Sequence, residues 1–198
     1  MRLKDRRQQK ELANAIARGQ ELRRVGRDPE EALEFLRDAV RRFPTDPELR
    51  LLYATILLVF EPDQVAAEAA KAVDLSPDDP VVLVRAGHLL LREDPEAARS
   101  YAARANELAQ PDFLLMSGLI SLNGLVAAFD GEDDVAEERL RLAVERDPLY
   151  SNLAVHLAKF LAARGRQEEA IEVIDESLRR AKDKSDLERL RARIIEAH

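Results

Sequence analysis

The sequence predicts an all-α protein built as an α-solenoid, and three observations carry that prediction. Helix formers dominate, aromatics make up 5% of the chain, and no Val/Ile/Thr-rich alternating run bounded by turn signals reads as a strand. One local pattern occurs twice: Gly131, Ala136, Leu140, Ala143, Pro148, then Gly165, Ala170, Ile174, Ser177, with Gly to Gly and Ala to Ala each 34 residues apart. Finally, seven of the nine prolines (Pro29, Pro47, Pro62, Pro80, Pro95, Pro111 and Pro148) stand at or just before an expected helix start.

The pattern sets a small residue where two helices cross closely, a large apolar residue one turn on, a second small residue, and a Pro where the helix must stop. In these residues the chain resembles tetratricopeptide-repeat (TPR) proteins, whose helix-turn-helix unit has about this period. The resemblance implies a right-handed superhelix of five units plus a closing helix. No single unit buries its own apolar face, so neighbours must stack, leaving a concave and a convex side.

Taken in order, residues 3 to 25 are predicted as one helix with an incomplete apolar stripe, Leu3, Leu12, Ile16 and Leu22, and Gly26 near its end. The segment Asp28-Pro29-Glu30-Glu31 restarts the chain as a capping box, and Ala32, Leu36, Ala39 and Pro44 follow the repeat spacing. Thr45-Asp46-Pro47 and Glu61-Pro62 open the helices of the second unit, whose crossing residues are Val65, Ala69 and Ala72. Asp79-Pro80 and Asp94-Pro95 open those of the third, with Gly87 in one helix and Ala98, Ala102 and Ala105 in the other.

The first crossing residues lie 33 (32 to 65), 33 (65 to 98), 38 (98 to 136) and 34 (136 to 170) residues apart, so the fourth unit is about five residues too long. The excess precedes Gly124 and is expected as an extra turn of a helix over 111 to 129. Ser185-Asp-Leu-Glu188 reads as a capping box for the closing helix, with Leu187, Leu190, Ile194 and Ile195 on one face. The resulting expectation is one domain over 1–198, with repeats at 3–44, 45–77, 78–110, 111–148 and 149–182 and a capping helix at 185–197.

Composition narrows the function. No cysteine is present, which removes disulfides and thiolate metal sites and makes the cytoplasm the expected compartment. The basic N-terminus has no apolar run after it, so no secretory signal is expected. Net charge is −7, yet residues 1 to 28 carry nine Lys/Arg against four Asp/Glu. Residues 29 to 198 are therefore strongly acidic and lack the basic stripe that nucleic acid requires. Phe113 to Phe129 is free of charge over seventeen residues, about 25 Å of helix against a hydrocarbon core of roughly 30 Å, so no membrane span is expected. No HExxH, phosphate loop or GxSxG occurs, and carboxylates such as Glu132, Asp133, Asp134, Glu137 and Glu138 fall at helix N-termini, where they complement the macrodipole. Neither an enzyme nor a metal or cofactor is expected.

What remains is a protein that binds protein. The resemblance implies that the first helix of each unit lines a groove and that residues flanking its central small residue point into it. That assigns Val84, Arg85, His88 and Arg92 in the third unit, Ser121, Leu122, Leu125 and Phe129 in the fourth, and Asn152, Val155, His156 and Lys159 in the fifth. The second unit supplies Leu51, Leu52 and Thr55. Leu51, Leu52 and Leu122 stand where the subgroup that clamps chaperone C-termini carries Lys and Asn, so that ligand is not expected. The expected partner is a peptide with an apolar anchor beside Asp or Glu. Two alternatives stay open: self-association into a homodimer through the helix at 111–129 or the end helices, and a peptide-sensing regulatory module.

Overall fold

The computed structural model describes residues 3–25, 28–181 and 183–196. Gly26, Lys182, Ala197 and the side chain of Leu3 lie outside what is described. The described residues form eleven α-helices and no strand: α1 (Leu3–Val25), α2 (Pro29–Arg42), α3 (Pro47–Phe60), α4 (Val65–Leu75), α5 (Pro80–Leu90), α6 (Pro95–Leu108), α7 (Met116–Phe129), α8 (Asp133–Arg146), α9 (Ser151–Ala163), α10 (Gln167–Arg180) and α11 (Ser185–Glu196). This is the all-α helical repeat fold that the sequence predicts. The chain divides into two compact units, Met1–Leu108 and Ala109–His198, and the division falls where the five-residue excess lies.

In the first unit, Asp-Pro pairs start the helices. Asp28 accepts a hydrogen bond from the Glu31 amide at 2.9 Å, Asp46 from Leu49 at 2.8 Å, Asp79 from Val81 at 2.8 Å and Asp94 from Ala97 at 3.0 Å. Each satisfies an amide that the helix leaves without a partner, while the following Pro supplies a helical φ. Two expectations need correction. The Glu31 side chain does not close a capping box but takes Arg18 Nη2 at 2.8 Å, and Pro62 begins a short 3-10 turn, Pro62–Gln64, ahead of α4 rather than α4 itself. The core of this unit gathers Ala32, Leu36, Ala39, Leu49, Leu52, Leu57 and Val65 with Leu22 of α1.

The crossing residues sit as the spacing requires. Ala32, Val65, Ala98, Ala136 and Ala170 have no exposed surface, and Leu36, Ala69, Ala102, Leu140 and Ile174, one turn on, are buried too. At Gly124 an added Cβ would stand 3.0 Å from Leu140 Cγ and 3.2 Å from the Ala136 carbonyl oxygen, which shows how closely α7 and α8 approach.

The second unit departs from the sequence reading at both ends. Its excess residues form no extra helical turn: Ala109 to Leu115 make a turn-rich connection, Pro111 included, and α7 begins only at Met116. Three aspects of this stretch defeat extension of the helix. Pro111 has no amide to donate, Asp112 favours a turn, and the Phe113 and Met116 amides close turns onto Gln110 and Phe113. At the other end Asp183, not Ser185, caps α11, accepting from both the Ser185 amide (3.1 Å) and its hydroxyl (2.8 Å). The core runs through Ala136, Leu140, Leu157, Leu161, Ala170 and Ile174 to Leu187, Leu190 and Ile194 of α11. Among the described residues no helix is long and apolar enough to cross a membrane.

Candidate functional site

The expected binding residues divide between the two units. In the first unit Arg85 pairs with Glu48, and both side chains are about 28% exposed. Gln20 Nε2 also donates to Glu48, at 3.2 Å. An arginine held by a neighbouring carboxylate offers little net charge to a partner. His88 is half-buried and Arg92 is exposed. Val84, Leu51 and Leu52 are buried in the core, and Thr55 turns its hydroxyl back onto the Leu51 carbonyl at 2.8 Å.

In the second unit the expected residues lie on α7 and α9. Ser121, with no exposed surface, shares a 2.8 Å hydrogen bond with His156 Nδ1 and so fixes the register of α7 against α9. Leu125 is half-buried against the core, whereas Phe129 at the end of α7 is 57% exposed. Lys159 is exposed and makes no ion pair among the described residues. Asn152 Nδ2 donates to the Tyr150 hydroxyl at 3.3 Å. Leu122 and Val155 do not belong to this surface, because Leu122 has no exposed area and Val155 is buried. Periodicity could not separate them from Leu125, since α7 is apolar on nearly every side and carries no charged residue to mark its solvent face.

Sequence reasoning missed the ion-pair network at the turns of this unit. Arg164 grips Asp133 through two nitrogens, at 2.6 and 3.2 Å, and lies 4.4 Å from the centre of the Phe160 ring. The same guanidinium holds the Asp133 carboxyl below the usual range. Arg166 binds both Glu137 and Glu169, and Arg141 reaches Glu137 at 2.7 Å. Hydrogen bonds from Arg166 and then Arg141 hold the Glu137 carboxyl down at about 2. Asp133 and Glu137 do lie near the N-terminus of α8, but they are paired 31 and 29 residues along the chain. That interval, close to the repeat period, was the available signal. The network is structural, and no group of three His, Asp or Glu among the described residues is placed to hold a metal ion.

Residues 12–56 match the family model described as tetratricopeptide repeat. No curated protein matches the chain. Among solved structures, the chain is similar to a thermophilic TPR protein of Thermus thermophilus, with 24% identity over 93% of this chain and 98% of that one and a TM-score of 0.71. It is also similar to PilF of Pseudomonas aeruginosa, with 20% identity over 87% and 77% of the two chains and a TM-score of 0.62. A TPR protein of Parabacteroides merdae shares 16% identity over 94% and 72%, with a TM-score of 0.65. Identities this low speak to the fold.

Proposed function

We propose that this chain, a tetratricopeptide-repeat protein, is a non-catalytic adaptor that binds a peptide segment on the α7–α9 face of its second unit. The observation that carries the reading is Phe129, an aromatic 57% exposed at the end of α7 and one turn beyond Leu125, on a unit whose α9 carries the exposed Lys159, without an ion pair among the described residues. Exposed aromatics next to an apolar neighbour are typical anchors of an interface. Lys159 adds a charge that selects Asp or Glu near the apolar anchor of the peptide and speeds its arrival. The part-buried Ser121–His156 bond holds the two helices at one spacing, so the face is preorganised rather than shaped by the ligand.

The test is a fluorescence titration with a short peptide carrying Leu and Asp, set against the same peptide with Asp replaced by Lys. Phe129→Ala should weaken the Asp peptide by about 1.5 kcal/mol or more, and Lys159→Glu should weaken it chiefly at low salt. Leu125→Asp is a poor probe, because Leu125 packs on the core and its loss would disturb folding. Equal affinity of both peptides for the native protein would remove the reading.

Self-association is a second reading, supported by Leu114, 88% exposed in the connection before α7, and by exposed Leu149 and Tyr150 before α9. Light scattering decides it: a mass that stays monomeric as concentration rises excludes a homodimer.

A further inference from the structure

The other face of the second unit, where its second helices α8 and α10 lie, holds a cleft of about 490 Å³. That volume is in the range of sites that hold small ligands or side chains of a partner. Val144 of α8, Leu157 of α9 and Val173 of α10 make its apolar lining. Around them stand two arginines, Arg141 and Arg179, and four carboxylates, Glu145, Glu172, Asp175 and Glu176.

The ion pairs decide which of these charges are available. Arg141 is held by Glu137 at 2.7 Å and Glu169 at 3.4 Å. Arg179 is held by Glu176, which Arg180 also reaches at 2.7 Å. Asp175 is held by Arg191 at 2.7 Å. Both arginines and two of the four carboxylates are therefore committed within the protein. Glu145 on α8 and Glu172 on α10 are exposed and make no ion pair or hydrogen bond among the described residues. They line the cleft from two different helices.

A further group points to a guest. Ser177 of α10 is 5% exposed and lines the cleft, and its hydroxyl has no hydrogen-bond partner among the described residues. The hydroxyl opens into the cleft, where it can accept a hydrogen bond from an entering N–H donor. An apolar lining, two available carboxylates on facing helices and a hydroxyl acceptor suit one kind of group: an aliphatic stem that ends in a cation.

We propose that the α8–α10 cleft binds a lysine or arginine side chain of a partner peptide, with its stem on Val144 and Val173 and its charged end between Glu145 and Glu172. The net negative lining rejects acidic segments, so this cleft and the α7–α9 face select peptides of opposite charge. The two do not share residues, and either stands without the other.

The test uses the full chain and a fluorescein-labelled peptide of alternating Leu and Lys, with a Leu and Gln peptide as control, titrated by anisotropy. The Lys peptide should bind saturably, one per chain, and the Gln peptide should not. Glu145→Gln with Glu172→Gln, both exposed and nearly isosteric, should weaken the Lys peptide by about tenfold or more. Glu138→Gln with Glu168→Gln makes the same charge change on the same two helices outside the cleft lining and should weaken it by less than about twofold. Ser177→Ala should weaken it by a few-fold while the circular dichroism spectrum stays unchanged. Equal weakening by the two Gln pairs would reduce the effect to the general negative field of the protein and overturn the proposal, as would equal binding of the Gln peptide or the lack of a saturable signal.

Discussion

The two compact units secure the same kind of helix hairpin by different chemistry. In the first, four helices begin with an Asp whose carboxylate accepts an amide hydrogen bond. In the second, α7, α8, α9 and α10 have no side-chain cap at their starts. Their hairpin turns instead pass through glycines with positive φ, Gly131 at 82° and Gly165 at 77°, and are tied across by Arg164 to Asp133 and Arg166 to Glu137. The first solution is local and can be read from four consecutive residues. The second joins residues about one repeat apart, which couples each turn to the next.

This difference predicts unequal sensitivity. The largest effect should come from removing α11 by truncation after Asp183. Leu187, Leu190 and Ile194 would leave the core of the second unit, a loss of roughly 5 kcal/mol at ordinary values for apolar side chains. Hydrogen exchange should then speed up in α9 and α10 and stay unchanged in α2 and α3. Uniform loss of protection along the chain would show the units to be one cooperative block.

Next in size is Ala136→Leu, which adds three carbons to a site with no exposed surface where α7 and α8 approach at Gly124. Overpacking should cost about 1–3 kcal/mol in urea denaturation, and an unchanged midpoint would contradict the crossing. Gly165→Ala should cost roughly 1 kcal/mol although nothing stands within 4 Å of the added carbon, because the cost lies in the backbone at φ 77°. Asp46→Ala should cost about 1 kcal/mol through its lost cap. Glu132→Gln, at the uncapped start of α8, should stay within about 0.5 kcal/mol.

A small effect that depends on pH comes from the ion pairs of the second unit. Glu137 has its carboxyl held at about 2 against an ordinary 4.5, so its folded state binds the proton less readily than the unfolded chain. Stability from this group is therefore full above pH 4.5 and lost as pH falls from 4.5 through about 2. Glu137→Gln should cost about 1 kcal/mol or less at pH 7 and flatten the fall in urea midpoint across that window. A fall as steep as in the native protein would place the acid sensitivity elsewhere.

Much of this was legible in the sequence because the repeat is a packing constraint. Each crossing residue from Ala32 to Ala170 must be small or slim enough for two helices to touch, and all five are buried. The Asp-Pro helix starts were legible for the same local reason. The start of α7 was not, since Pro111 signals a helix start and a turn equally well, and it is the turns closed by the Phe113 and Met116 amides that hold this stretch out of the helix. Neither was the surface of α7: with no charged residue in it, Leu122 and Leu125 look alike in periodicity, yet one is fully buried and the other reaches the surface edge. The cap of α11 was missed because Ser185 and Glu188 match the capping-box pattern while Asp183 competes two residues earlier.

The most direct measurement on the binding face is hydrogen–deuterium exchange of the whole protein with and without a saturating Leu and Asp peptide. The account predicts slower exchange confined to the last turns of α7 around Phe129 and the turns of α9 around Lys159, and no slowing there in the Phe129→Ala protein. Slowing that falls on α8 and α10, or on the first unit, with α7 and α9 unchanged, would contradict it.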